Sequence, residues 1–353
     1  MDDYFNKALL KRKRNGLYRK LKNYNKLIDF SSNDYLGIAN DFKTGSTGSR
    51  LISGNSLELE KIEKEFALQL NAKSALYFGS GYCANIGLIP AVVDRFTTII
   101  SDEFIHASLI DGIRLSYGKK YSFKHNDLNH LEKLLISKKG KKIVIAETVY
   151  SMDGDSPDLT KLFDLISNFE DTYVILDEAH GLGLYGNKNL GTAQNFINHP
   201  KCLAVVYPLG KSLGLSGAFI VGSELLRDYL VNFSRSFIYS TGPSKSIIDS
   251  LQSQLESLYT KDISFIFELK NYFLKQISSN YEVLSGKYGA IVSILTREKS
   301  KNLEQELMNN NLFVKSILSP TVPSGQERLR ICFHNYNTKS QVVELIKILN
   351  KSI

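Results

Sequence analysis

Two segments of this 353-residue chain bring together residue types that could do covalent chemistry. An apolar run, Tyr173-Val174-Ile175-Leu176, ends in Asp177-Glu178-Ala179-His180-Gly181. A second run, Leu203-Ala204-Val205-Val206-Tyr207, opens into Pro208-Leu209-Gly210-Lys211-Ser212-Leu213-Gly214-Leu215-Ser216-Gly217. A lysine in a Gly/Ser-rich loop can form a Schiff base, and a carboxylate at a buried strand end can keep a pyridine nitrogen protonated. That pairing is what pyridoxal 5'-phosphate (PLP) chemistry needs. One lysine among 44 Lys+Arg residues is ordinarily solvated surface; its place downstream of Asp177 is what singles out Lys211.

The remaining parts of such a site have candidates. Phe78-Gly79-Ser80-Gly81-Tyr82-Cys83-Ala84-Asn85 follows a strand-like run and opens a helical one. Glycines there let the backbone approach a phosphate, and helix N-terminal amides point at it; an ordinary strand–helix turn is the plain alternative. His106, in Ile105-His106-Ala107-Ser108-Leu109, could stack its flat imidazole on a pyridine ring, although a helix-start histidine is more often structural. His180 could reach a ring oxygen. His125, His130, His199 and His334 read as surface or structural. Arg328-Leu329-Arg330 alternates along a strand, so both arginines share a face, and one could clamp a carboxylate bidentately; a half-exposed edge strand is the plain alternative.

Two motif matches fail on context. Asp177-Glu178-Ala179-His180 spells a helicase DEAH box, but a phosphate loop would have to lie upstream, and the only Gly-Lys-Ser, residues 210–212, lies downstream with Val205 at the first-glycine position. Gly181-Leu182-Gly183-Leu184-Tyr185-Gly186 fits Gly-x-Gly-x-x-Gly, but no amphipathic helix follows it and no acid stands between 187 and 222 to hold a ribose.

The elements that must position these residues read as α/β. Strand candidates are 75–78, 97–101, 142–147, 172–177, 203–207 and 218–221, with helical stretches such as 129–137 and 159–169 between them, which argues for a mostly parallel sheet covered on both faces. Residues 2–23 read as a basic amphipathic helix with Leu9, Leu10 and Leu17 as its apolar points. Residues 56–71 form another, with Leu59, Ile62, Phe66 and Leu70 on one stripe. Beyond Pro243 the pattern changes to a long helix through Ile247, Ile248, Leu251, Leu255 and Leu258, strands at 290–296 and 327–333, and a terminal helix through Val342, Val343, Ile346 and Leu349. The expected domains are an N-terminal helix and arm (1–40), a large PLP-binding α/β domain (41–244) and a smaller α+β domain (245–353).

Composition sets the bounds. Hydrophobic content of 43% and charged content of 23% are ordinary for a globular protein. The net charge of +8 suits an anionic ligand, though a Lys-rich surface explains it as well. Cys83, Cys202 and Cys332 are scattered, which argues against a disulfide framework or a metal site and for the cytoplasm. No run reaches 18 apolar residues, and the acidic N-terminus lacks a signal-peptide core, so neither a membrane nor a nucleic-acid partner is expected.

These pieces, in this order, resemble the α-oxoamine synthases, PLP-dependent transferases of the aspartate-aminotransferase-like fold type I. The resemblance runs from about residue 8 to the C-terminus. It is carried by Phe30-Ser31-Ser32-Asn33-Asp34-Tyr35-Leu36-Gly37, Ser80-Gly81-Tyr82, His106-Ala107-Ser108-Leu109, Ser151-Met152-Asp153-Gly154-Asp155, Asp177-Glu178-Ala179-His180-Gly181, Gly210-Lys211, Ile238-Tyr239-Ser240-Thr241, and the stretch from Pro320-Thr321-Val322-Pro323 through Gly325 to Arg328-Leu329-Arg330. It implies that Lys211 binds PLP covalently, Asp177 pairs with the ring nitrogen, His106 stacks on one ring face and Ala179 covers the other. Ser151 and His180 would contact the ring-oxygen side and Gly81 and Tyr82 the phosphate, with Ser240 and Thr241 added from the partner in a homodimer. Arg330 would hold the amino-acid carboxylate, while Arg19, Asn33 and Thr321 would contact substrate. The implied reaction is decarboxylative condensation of an amino acid with an acyl thioester. The last two motifs favour L-alanine and a pimeloyl thioester, on coenzyme A or a carrier protein. The other readings are glycine or serine with a different acyl-CoA, or a non-catalytic PLP-fold protein. The sequence departs from the family at Pro208, where a phosphate-binding threonine is usual, at Leu318, where some relatives carry arginine, and at Leu59, where histidine is common. The segments before Phe30 and between Gly37 and Gly45 are also shortened.

Overall fold

The computed structural model describes residues 1–22 and 45–352. Asn33 and the rest of the 30–37 motif lie outside the described residues. The described chain forms two compact units, one of residues 1–148 and 157–259, the other of residues 149–156 and 260–353.

The first unit is built on seven strands: β1 (Ser74–Phe78), β2 (Thr98–Asp102), β3 (Lys119–Phe123), β4 (Lys142–Glu147), β5 (Thr172–Asp177), β6 (Cys202–Pro208) and β7 (Ala218–Gly222). Their order is β1-β7-β6-β5-β4-β2-β3. The pairs from β6 through β5, β4 and β2 to β3 are parallel, and only β7 runs antiparallel to both its neighbours. This is the mostly parallel sheet that the apolar runs imply. All residues of β1, β2 and β4 are buried, as expected of strands covered on both faces. The sequence pattern misses β3. It is an edge strand, Lys-Lys-Tyr-Ser-Phe, that buries only Phe123.

Helices form where a cap and a stripe coincide. Helix Leu57–Gln69 starts at Ser56, whose side chain accepts the Leu59 N–H, and it buries Leu59, Ile62 and Phe66. Phe66 stacks on Phe219 with ring centroids 4.4 Å apart and meets the edge of Tyr207 at 5.4 Å, locking this helix to the sheet. The N-terminal helix spans Asp2–Arg14 rather than reaching residue 23. Gly16 takes a φ of 66°, which breaks the helix and leaves Leu17 exposed. Helix Lys245–Thr260 lies almost wholly in the first unit, because Ile248, Leu251, Leu255 and Leu258 belong to that unit's core. The boundary therefore falls at 259/260 and not at the expected 244/245. Among the described residues, no helix is long and apolar enough to cross a membrane.

The second unit carries an antiparallel sheet of β8 (Glu282–Ser285), β9 (Ile291–Leu295), β10 (Lys315–Ile317) and β11 (Arg328–Cys332) in the order β10-β11-β9-β8. Helices Ser264–Gln276, Ser300–Asn309 and Lys339–Lys351 accompany it. β11 is an inner strand, not the half-exposed edge considered as the alternative. Residues 149–156 join this unit by specific bonds: Ser293 Oγ donates to the Met152 carbonyl, Arg330 Nε to the Ser151 carbonyl, and Arg328 pairs with Asp153.

Candidate active site

A cavity of about 440 Å³ opens beyond the carboxyl ends of β4, β5 and β6, where ligands bind in open α/β sheets. It is lined by Gly79 to Tyr82, Asn85, His106, Ser108, Glu147, Asp177, Ala179, Pro208, Gly210, Lys211 and the far side of the lysine loop. The order of the strands thus gathers residues that lie as far apart in the chain as Gly79 and Gly217.

Asp177 is 3% exposed at the cavity floor. Its Oδ2 accepts from Asn85 Nδ2 at 2.8 Å and its Oδ1 from the Ala179 N–H at 2.9 Å. Two donors fix the carboxylate's direction; hydrogen bonds to a charged group contribute about 1.5–3 kcal/mol each. Asn85 also donates to Ser108 Oγ at 2.9 Å, and Ser108 Oγ meets His106 Nδ1 at 2.8 Å. His106 is the N-cap of helix Ala107–Leu115, so one relay sets both the carboxylate and the imidazole. Burial pushes the His106 imidazole below its usual pKa against the pull of Asp177, which keeps it neutral, as a stacking ring should be.

At the other end, Ser80 caps helix Gly81–Val92 by accepting the Cys83 N–H. The first-turn N–H groups of Gly81 and Tyr82 have no intrahelical acceptor and form an anion cradle. Pro208 closes over Gly81: a Cβ at Gly81 would sit 2.8 Å from the Pro208 Cβ. At Gly79 an added Cβ would meet nothing within 4 Å. Lys211 is exposed in the loop after β6, whose neck is closed by Leu209 N–H to Gly217 O at 3.0 Å. An acid fixed on the floor, a neutral imidazole on the wall, amides at a helix start and an accessible lysine match the ring nitrogen, ring face, phosphate and aldehyde of PLP.

The other expected residues lie elsewhere. Ala179 lines the cavity, but His180 is half-buried and does not. Ser240 and Thr241 do not line their own chain's cavity. Arg19 holds Asn232 through its backbone N–H and its guanidinium. In the second unit, Arg328 is neutralised by Asp153, whereas among the described residues Arg330 meets only the neutral Ser151 carbonyl and Cys332 Sγ. Arg330 is therefore the guanidinium of the pair suited to a carboxylate. Thr321 is exposed and donates its N–H to Leu318 O. The residue-by-residue reading passed over Asn85, Ser108 and Glu147. The signal was present for Glu147, since β4, like β5, is an apolar run ending in an acid.

The chain belongs to the class I and II aminotransferase family, whose pattern matches residues 25–349. Within that breadth it is similar to an 8-amino-7-oxononanoate synthase of Lysinibacillus sphaericus, 32% identical over 100% of this chain and 99% of the relative, and to a putative one of Methanococcus vannielii, 34% identical over 95% of each. The crystal structure of 8-amino-7-oxononanoate synthase from Francisella tularensis superposes with a TM-score of 0.74 at 30% identity, over 93% of this chain and 98% of that one. Serine palmitoyltransferase of Sphingomonas wittichii shares the fold, with a TM-score of 0.83 at 23% identity over 90% of this chain and 81% of that one.

Proposed function

We propose that this protein is a PLP-dependent C-acyltransferase that condenses L-alanine with a pimeloyl thioester to give 8-amino-7-oxononanoate. The observation that supports it most is the placing of Asp177, His106 and Lys211 on one cavity, in a chain similar over nearly its whole length to 8-amino-7-oxononanoate synthases. PLP, when bound, supplies an electron sink for charge developing at the amino-acid α-carbon. Asp177 holds the proton on the ring nitrogen that makes the sink effective. His106 orients the ring by stacking, and the amides of Gly81 and Tyr82 hold the phosphate. Lys211 Nζ takes the α-proton and later returns one to the same carbon. Arg330 orients the amino-acid carboxylate. In the net reaction the α-carbon bonds to the acyl carbon, the thiol leaves, and the carboxyl group departs as CO2.

The active unit in this reading is a homodimer, because Ser240 and Thr241 serve the partner's phosphate site. Mixing Lys211→Ala protein with a Ser240→Ala/Thr241→Ala variant then restores part of the activity; a fully active monomer rules the dimer out. The defining assay measures CO2 release from labelled alanine, glycine and serine against pimeloyl-CoA, a pimeloyl carrier protein and other acyl thioesters. Thioester-dependent release from alanine with a pimeloyl donor is expected. Release only from glycine or serine would move the chain to another α-oxoamine synthase reaction, and none at all would overturn the enzyme reading.

A further inference from the structure

Three adjacent strands of the large sheet each end in a buried acid. Asp102 closes β2, Glu147 closes β4 and Asp177 closes β5, and β4 lies between the other two. Glu147 and Asp177 are direct register partners. Their exposures are 0% for Asp102, 2% for Glu147 and 3% for Asp177, so water screens none of them well.

Their surroundings differ. Asp102 accepts the Phe104 N–H at 2.8 Å and the Asn126 N–H at 2.9 Å, and meets His125 Nδ1 at 2.9 Å. Asp177 has Asn85 and the Ala179 N–H. Each of these two carboxylates is thus met by at least two donors. Among the described residues Glu147 has one donor, the backbone N–H of His106. A third negative charge between two others, nearly dry and with a single amide to face, is the most costly of the three, and keeping the proton removes that cost. Burial first, and then the charge of Asp177, push the Glu147 pKa well above the usual carboxylate range. Asp102 adds to that push, while the His106 N–H and Lys211 oppose it.

We propose that Glu147 is the positioning residue for His106: it anchors the His106 backbone by accepting its N–H and does so while carrying its own proton. Ser108 then fixes the imidazole ring and Glu147 the backbone that bears it. Among the described residues lining the cavity, Asp177 is left as the single negative charge presented to the ring nitrogen. The proposal rests on the PLP reading above. Asp102 from β2, Asp177 from β5, His106 from the following helix start and Lys211 from the loop after β6 are the charged or titratable groups that act on Glu147.

Glu147→Gln tests it, because glutamine keeps the acceptor and is neutral at every pH, whereas Glu147→Ala removes the acceptor. Infrared difference spectra of the apoprotein, wild type minus Glu147→Gln, should show a neutral carboxylic-acid carbonyl band near neutral pH. In PLP titrations followed by visible circular dichroism, Glu147→Gln should keep its Kd within about threefold of wild type with the same dichroic sign. Glu147→Ala should bind at least about tenfold more weakly and lose dichroic intensity while its far-ultraviolet spectrum is unchanged. Absence of the neutral-acid band overturns the proposal, as does equal damage in the glutamine and alanine variants. If Glu147→Ala does not fold, the infrared spectra and the glutamine titration still decide. A wild-type chain that binds no PLP would instead sink the functional reading, and the infrared measurement, which needs no cofactor, would still settle the proton.

Discussion

Asp177 and Glu178 stand side by side at the end of β5, yet the first lines the cavity and the second is sealed inside the turn that follows. Glu178 is fully buried. It accepts from the Ala193 N–H, from Thr192 Oγ1 at 3.2 Å and from Thr148 Oγ1. Gly181 and Gly191 lie so close to its carboxylate that a Cβ on either would collide with it. The loop after β6 is held differently. Backbone bonds close its neck, Tyr77 Oη donates to the Ser216 carbonyl at 2.9 Å, and Gly210, Lys211, Ser212 and Gly214 stay exposed. One loop gains rigidity by enclosing an acid and gives up access. The other is pinned at its base and offers its tip to a ligand.

The sharpest break of this contrast is Lys211→Ala, which should abolish turnover while the fold survives, because the residue is exposed and its loop is held elsewhere. Borohydride reduction and peptide mapping should place the pyridoxyl label on Lys211; a label on another lysine refutes the assignment. Next comes Asp177→Asn, expected to keep PLP bound and to cost about 2.7–4 kcal/mol in the barrier, read as a fall in kcat. Near-normal turnover would remove Asp177 from its role. Pro208→Thr adds a hydroxyl at the phosphate end, and PLP should be retained roughly ten- to a hundredfold more tightly on titration of the apo form. Unchanged or weaker binding would mean the contact of Pro208 with Gly81 is itself the working arrangement. The smallest effect belongs to Glu178→Gln. Burial pushes Glu178 up to about 7, so between the ordinary glutamate value and that pH the folded protein holds a proton the unfolded chain has lost. Wild-type stability should therefore decline as pH rises through that window and level off above it. The glutamine variant should lack this decline, a difference of only a few degrees in Tm; parallel pH profiles would contradict it.

The same contrast explains what was legible in the sequence. The strands of the large sheet are apolar runs buried on both faces, and β3 was missed because an edge strand of lysines has no such signature. Asp177, His106, Gly81, Tyr82, Ala179 and Lys211 are all marked by local motifs, and all line one cavity. The glycines of 181–186 formed a dinucleotide pattern without its context. Their spacing instead serves the turn: Gly183 and Gly186 take φ values of 88° and 83°, and Gly181 makes room for Glu178. Asn85 and Glu147 act through partners distant in the chain, so only the fold joins them; Ser108 is two residues from His106, but its bond to the imidazole depends on the helix start that turns the two side chains together. In the second unit, β8 and β10 were missed because they are short and carry few apolar residues; helices Ser264–Gln276 and Ser300–Asn309 do carry a helical stripe, Ile266, Leu269 and Phe273 in one and Leu303 and Leu307 in the other, which the sequence reading did not pick out.

Residues 149–156 belong to the second unit although both flanks belong to the first. Construction follows from this. Cutting the chain at 259/260 would yield a C-terminal fragment holding Arg328 without Asp153, an interior guanidinium stripped of its carboxylate at a cost of about 3–5 kcal/mol. Ser293 and Arg330 would lose the Met152 and Ser151 carbonyls as well. Neither half of this protein is a transplantable module: chimeras and split versions must carry the eight-residue insert with the C-terminal piece, or they will separate a lock from its key.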